Sequence, residues 1–151
     1  MFARFLPLAA AVLIAGCDQA PSEMTLENAW VRLPAVDGRP GAAYFTLTGS
    51  DEQMVLVAAD SEAAGRAELH ESMAGDGGMM RMEPIAQVVL APAQRIAFEP
   101  GGRHVMLFDI APGIEPGDTV PLTLSFADAT MLSVDARAVA PGDPAPQPAA
   151  E

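Results

Sequence analysis

The chain has 151 residues, with 20 Asp and Glu against 8 basic residues, all of them Arg, and a formal charge of −12. That charge excludes nonspecific nucleic-acid binding, because the phosphate backbone rewards clustered Lys and Arg. One Cys excludes an internal disulfide framework and Cys-rich zinc modules, two His leave little for His-based catalysis, and the length fits a single domain.

The N-terminus reads as a targeting segment. Arg4 precedes an apolar run, Leu6–Ala15, that is shorter than the roughly 20 residues a membrane span needs. The run ends in Leu13-Ile14-Ala15-Gly16-Cys17, which resembles the bacterial lipobox. The resemblance implies a lipoprotein signal peptide over 1–16, cleavage before Cys17 and lipidation of Cys17, so that the chain is periplasmic and held on a membrane. Asp18 resembles the retention signal that favours the inner over the outer membrane. Residues 17–24 then form a lipidated N-terminus and linker. A Pro/Ala-rich tail, 140–151, is expected to be disordered.

Between these ends, short apolar runs are punctuated by Gly, Pro and Asp every eight to twelve residues, a pattern that predicts an all-β sandwich or barrel. The expected strands are Leu26–Leu33, Ala42–Thr48, Val55–Asp60, Ala67–Ser72, Met79–Pro84, Gln87–Leu90, Ile96–Glu99, His104–Ile110, Val120–Phe126 and Met131–Val139. One helical turn is expected at Ser61–Gly65. Trp30, Tyr44, Phe45, Phe98, Phe108 and Phe126 are expected in the core.

Four methionines, Met73, Met79, Met80 and Met82, crowd a Gly-rich turn at Ala74–Gly78. His70 and Met82 lie on the two arms of the hairpin that this turn closes. His104 and Met106 are two apart on a strand, so their side chains leave one face. Thioethers are soft ligands that favour Cu(I), and imidazole accepts several metals. A set of two imidazoles and two thioethers therefore argues against zinc. Blue-copper electron transfer needs a Cys ligand, and Cys17 is committed to lipid. Methionine is also ordinary core filler in β proteins, so spacing alone leaves both a metal site and plain packing open.

The spacing resembles that of the periplasmic copper chaperones called PCu(A)C: a His, ten residues, a Met, twenty-one residues, then His-x-Met. Met82 and His104-Val105-Met106 match the second part, while eleven residues separate His70 from Met82. The extra residue is placed in Gly75–Gly78, where a hairpin tip can lengthen without changing the pairing below it. Ala29-Trp30-Val31-Arg32, Gly41-Ala42-Ala43-Tyr44-Phe45, Glu68-Leu69-His70-Glu71 and Pro100–Leu107 also look like family segments. The resemblance implies a single cupredoxin-like Greek-key β-sandwich domain over 25–139. It also implies one Cu(I) held by His70, Met82, His104 and Met106, with Met73, Met79 and Met80 as surrounding thioethers. The function implied is copper delivery, without catalysis, to the cytochrome c oxidase copper centre, directly or through a Sco-type thiol protein. A copper buffer or resistance lipoprotein, and a metal-free scaffold lipoprotein, are the rival expectations.

Overall fold

The computed structural model describes residues 22–147; the expected signal peptide and Cys17 lie outside them. Ten strands form: β1 (Thr25–Arg32), β2 (Gly41–Thr48), β3 (Met54–Asp60), β4 (Ala64–Ala74), β5 (Met80–Pro84), β6 (Val88–Leu90), β7 (Arg95–Phe98), β8 (Arg103–Ile110), β9 (Thr119–Phe126) and β10 (Met131–Val139). Each coincides with an expected strand, because every run is short, apolar on alternate positions and closed by turn residues. No helix among the described residues is long and apolar enough to cross a membrane.

Hydrogen bonding runs in the order β5-β4-β8-β2-β1-β10-β9-β3-β6. β2 shares one edge between two partners, with Gly41–Ala43 on β8 and Phe45–Thr48 on β7. β1 ties the halves together, antiparallel to β2 and parallel to β10 through Trp30, Val31 and Arg32. An extra residue in β1 between Glu27 and Trp30, where Asn28 adopts φ 54°, shifts the register against β2. The inward faces meet in one core that contains Phe45, Leu47, Leu56, Leu90, Phe98, Val105, Leu107, Leu122 and Leu124. Phe45 and Phe98 stack at its centre, ring centroids 4.3 Å apart. The result is the all-β single domain expected from the sequence.

Two expectations need correction. Ser61–Gly65 is not a helical turn: Ala64 N–H closes a tight turn on the Ser61 carbonyl at 3.2 Å, and β4 begins at Ala64. Phe108 lies outside the core, while Trp30 and Tyr44 are buried as expected but in a second cluster apart from the main one. Trp30 and Tyr44 pack on each other at 4.5 Å in a separate cluster with Val139, and Phe108 is half-buried beneath the Arg66 guanidinium, 4.2 Å from its ring. The reason is geometric. Trp30-Val31 and Tyr44-Phe45 put large residues on consecutive strand positions, and only one of each pair can face inward.

Candidate metal centre

β4 is long enough to serve two neighbours. Its Ala64–Glu71 stretch pairs with β8, and His70–Ala74 pairs with β5 around a tip built on a 3₁₀ turn, Asp76–Gly78. The tip closes with Gly75 N–H on the Met79 carbonyl at 2.7 Å, and Gly77 and Gly78 take the positive φ angles the turn requires, 75° and 79°.

Register then decides which side chains share a face. His70 is paired directly with His104, and Glu68 with Met106. On the hairpin side His70 is opposite Pro84, and Met82 is opposite Ser72. Paired residues project from one face of a sheet, so His70, His104, Met106, Met82, Met80 and Glu68 all project from the outer one. Met82 is a diagonal neighbour of His70 rather than its direct partner, still within reach for a long side chain. Met73 is paired with Arg81 and projects from the opposite face. Met79 lies just outside β5, at the tip.

Burial grades the set. His70 and His104 are 8% and 3% exposed, Met106 is half-buried, and Met82 is 61% exposed. The imidazole centroids are 5.9 Å apart. Met79 and Met80 are more than half exposed, and Met73 is nearly so.

Hydrogen bonds settle which ring nitrogens carry protons. His104 Nδ1–H donates to the Gly102 carbonyl at 3.0 Å, which leaves Nε2 with the lone pair. His70 Nε2–H donates to Glu68 Oε2 at 3.0 Å. This hydrogen bond, seconded by the Arg66 charge, holds the Glu68 carboxyl below its usual range against a smaller opposing effect of burial, so Glu68 is the acceptor. In the neutral ring this bond leaves the lone pair of His70 on Nδ1, which is buried and has no hydrogen-bond partner. Leaving such a group unsatisfied costs about 1–3 kcal/mol. Burial, with some repulsion from His70, pushes His104 below the ordinary histidine range despite the Gly102 bond. It is neutral at pH 7 and free to act as a ligand.

Of the acids near the site in sequence, only Glu68 shares the outer face among those on the strands. Glu71 projects from the other face and pairs with Arg103 at 3.3 Å, while Glu83 lies 3.8 Å from Arg81. Tyr44, read from the sequence as core, has its ring 6.3 Å from His104. Burial raises its phenol above the ordinary value, with Arg32 opposing, so it is a neutral wall. The signal for both Glu68 and Tyr44 was positional. Glu68 is two residues before His70 on one strand, and Tyr44 is two after Ala42, the partner of Met106.

Among the described residues, no group of three or more His, Cys, Asp or Glu is disposed to hold a metal. A metal bound on this face would therefore draw on the thioethers beside the paired imidazoles. That donor set, with an uncommitted lone pair on buried His70 Nδ1, fits a soft monovalent ion.

Residues 24–138 match the family described as "Putative lipoprotein LpqE-like". The chain belongs to the LpqE-like family. Among relatives, "Putative lipoprotein Lxx21020" of Leifsonia xyli subsp. xyli is 28% identical over 109 residues, 72% of this chain and 65% of its own length. "Uncharacterized protein RP573" of Rickettsia prowazekii is 31% identical over 98 residues, 64% of this chain and 54% of its own length. The chain thus spans less than two thirds of either relative. Among solved structures, the apo PCuAC domain from PmoF1 is 30% identical with a TM-score of 0.63, covering 82% of this chain and 98% of that domain. The Cu(I) form of DR1885 from Deinococcus radiodurans is 28% identical with a TM-score of 0.55, covering 85% of this chain and 84% of that one. The likeness to PCuAC domains read from the sequence is borne out in sequence and in fold.

Proposed function

We propose that this LpqE-like protein is a Cu(I) carrier whose site is His70, Met82, His104 and Met106. The observation that carries the reading is the direct pairing of His70 with His104, each of which, when neutral, has one nitrogen outside its hydrogen bond, on the face that also bears Met106 and Met82. The Cu(I)-bound state of DR1885, a structural relative, supports it. Copper is cargo here: no bond of a substrate is made or broken, and the protein is not an enzyme.

The burial gradient suits release. Two imidazoles form a buried base, while Met82 stands in solvent at 61% exposure. An incoming thiolate displaces the exposed, weakly held thioether first, and the ion moves by stepwise ligand exchange toward the softer donor. The recipient in this reading is the copper centre of cytochrome c oxidase, directly or through a Sco-type thiol protein. The carrier works in the periplasm, anchored by lipid at Cys17 on the inner membrane. The lipoprotein name of its family supports the anchor.

Anaerobic competition of the domain against a chromophoric Cu(I) chelator tests the site. One ion should bind, and His104→Ala and Met82→Leu should each weaken it by about tenfold or more, equivalent to about 1.4 kcal/mol. Met79→Leu and Met80→Leu should change it far less. Unchanged affinity in both of the first two variants would sink the assignment. A larger loss in Met80→Leu than in Met82→Leu would move the thioether ligand one step toward the tip.

A further inference from the structure

The two imidazoles are not equivalent, and the cause lies in a row of side chains that the proposed ligand set does not include. Along the outer face of β4 and β8, the Arg66 guanidinium rests on the Phe108 ring at 4.2 Å. Its Nη1 is 3.2 Å from Glu68 Oε1. The other carboxylate oxygen, Oε2, takes the Nε2–H of His70 at 3.0 Å. Arg66 and Phe108 are themselves register partners, so the row is braced by the sheet. Each member fixes the next: the ring seats the guanidinium, the guanidinium orients the carboxylate, and the carboxylate chooses the tautomer of His70.

We infer that Glu68 is a positioning residue that holds His70 as its Nε2–H tautomer, so that His70 meets copper through Nδ1 while His104 meets it through Nε2. The inference rests on the copper-carrier reading for its metal half; its tautomer half stands on the apo protein alone. Buried His70 Nδ1 has no hydrogen-bond partner, as expected of an atom kept for a ligand. His104 is set the opposite way by a main-chain acceptor, the Gly102 carbonyl, which no side-chain substitution removes. Control of the site is thereby concentrated in the one imidazole whose proton is held by a side chain. A carboxylate on the far nitrogen also makes a ligating histidine more basic and holds its ring in place, and loss of such a partner typically costs about 10- to 100-fold in metal affinity.

Nitrogen-15 spectra of the imidazole rings of the mature protein, without copper and then with one equivalent of Cu(I) under anaerobic conditions, test both halves. Apo His70 should show a single Nε2–H form, and His104 a single Nδ1–H form. Glu68→Ala should leave His70 as a tautomer mixture and weaken Cu(I) binding by about 10- to 100-fold. Glu68→Gln, whose amide oxygen still accepts the Nε2–H, should keep the tautomer and most of the affinity. Unaltered backbone amide spectra in both variants separate this from misfolding. On adding Cu(I), the Nδ1 signal of His70 should move, with Nε2 of His104. A tautomer mixture in the wild-type apo protein, equal losses in Glu68→Ala and Glu68→Gln, or a copper shift at His70 Nε2 would each overturn the inference. An apo spectrum as expected with no copper shift at either ring would instead bring down the copper-carrier reading, and the metal half with it.

Discussion

His104 carries a pH dependence of known sign. Burial is the main cause of its lowered pKa; the Gly102 hydrogen bond opposes that shift, and His70 adds to it. Below the ordinary histidine value of about 6.5, the unfolded chain therefore binds more protons at this residue than the folded one. The contribution of neutral His104 is whole above that value and is lost progressively as pH falls below it. Urea denaturation of the apo protein should give a lower midpoint at about pH 5.5 than at about pH 7.5, and His104→Leu should flatten the difference. An equal slope in that variant would assign the effect to another group. At this scale the shared face of the candidate residues was legible. His-x-Met shares a face by strand alternation, and the three-residue step from His70 to Met73 already places the latter on the other side. The Glu68–His70 bond was not legible, because spacing says only that the two share a face. Which nitrogen is bonded depends on side-chain rotation, and alternation carries no information about that.

At the scale of elements, nine strands were legible to within one residue, β4 proved longer at both ends than Ala67–Ser72, and the pairing was not legible. Apolar alternation marks where a strand is, but it does not say that β2 divides its edge between β7 and β8, or that β1 gains a residue near Asn28. Nor does it choose which residue of Trp30-Val31 or Tyr44-Phe45 faces inward. The pairing nonetheless sets the site, and Gly41 shows how. It opens β2 opposite Leu107, one step from the Ala42–Met106 pair. A Cβ added there would lie 2.7 Å from Ile110 Cδ1 and 2.8 Å from the Arg32 carbonyl oxygen. The isoleucine methyl can turn away, but the carbonyl is fixed in the β1 strand. Gly41→Ala should therefore push β2 off its neighbours, destabilise the fold by about 1–3 kcal/mol and weaken Cu(I) binding through Met106. Denaturant midpoints and chelator competition on the same preparation would check both effects. Lost stability with unaltered affinity would show that Met106 is insulated from the start of β2.

The whole molecule poses the choice between delivering copper and keeping it, and the two make different demands on one site. A store gains from enclosure, which slows loss of the ion. A carrier must be reached by its acceptor, at the cost of a weaker hold. Here the imidazoles are enclosed, the proposed thioether at Met82 stands open, and Met79 and Met80 beside it are exposed as well. In the proposed copper site this arrangement would expose the ion on the side from which a thiolate would attack, as delivery requires. A strain lacking the protein should accordingly lose cytochrome c oxidase activity when copper is scarce and regain it with added copper. The wild-type chain should restore activity under scarcity, His104→Ala should not, and Cys17→Ser should restore it less well if the anchor holds the carrier near its acceptor. Storage predicts another pattern: normal oxidase activity at low copper and poor growth at high copper. That outcome would mean the open thioether side serves capture of the ion rather than its transfer.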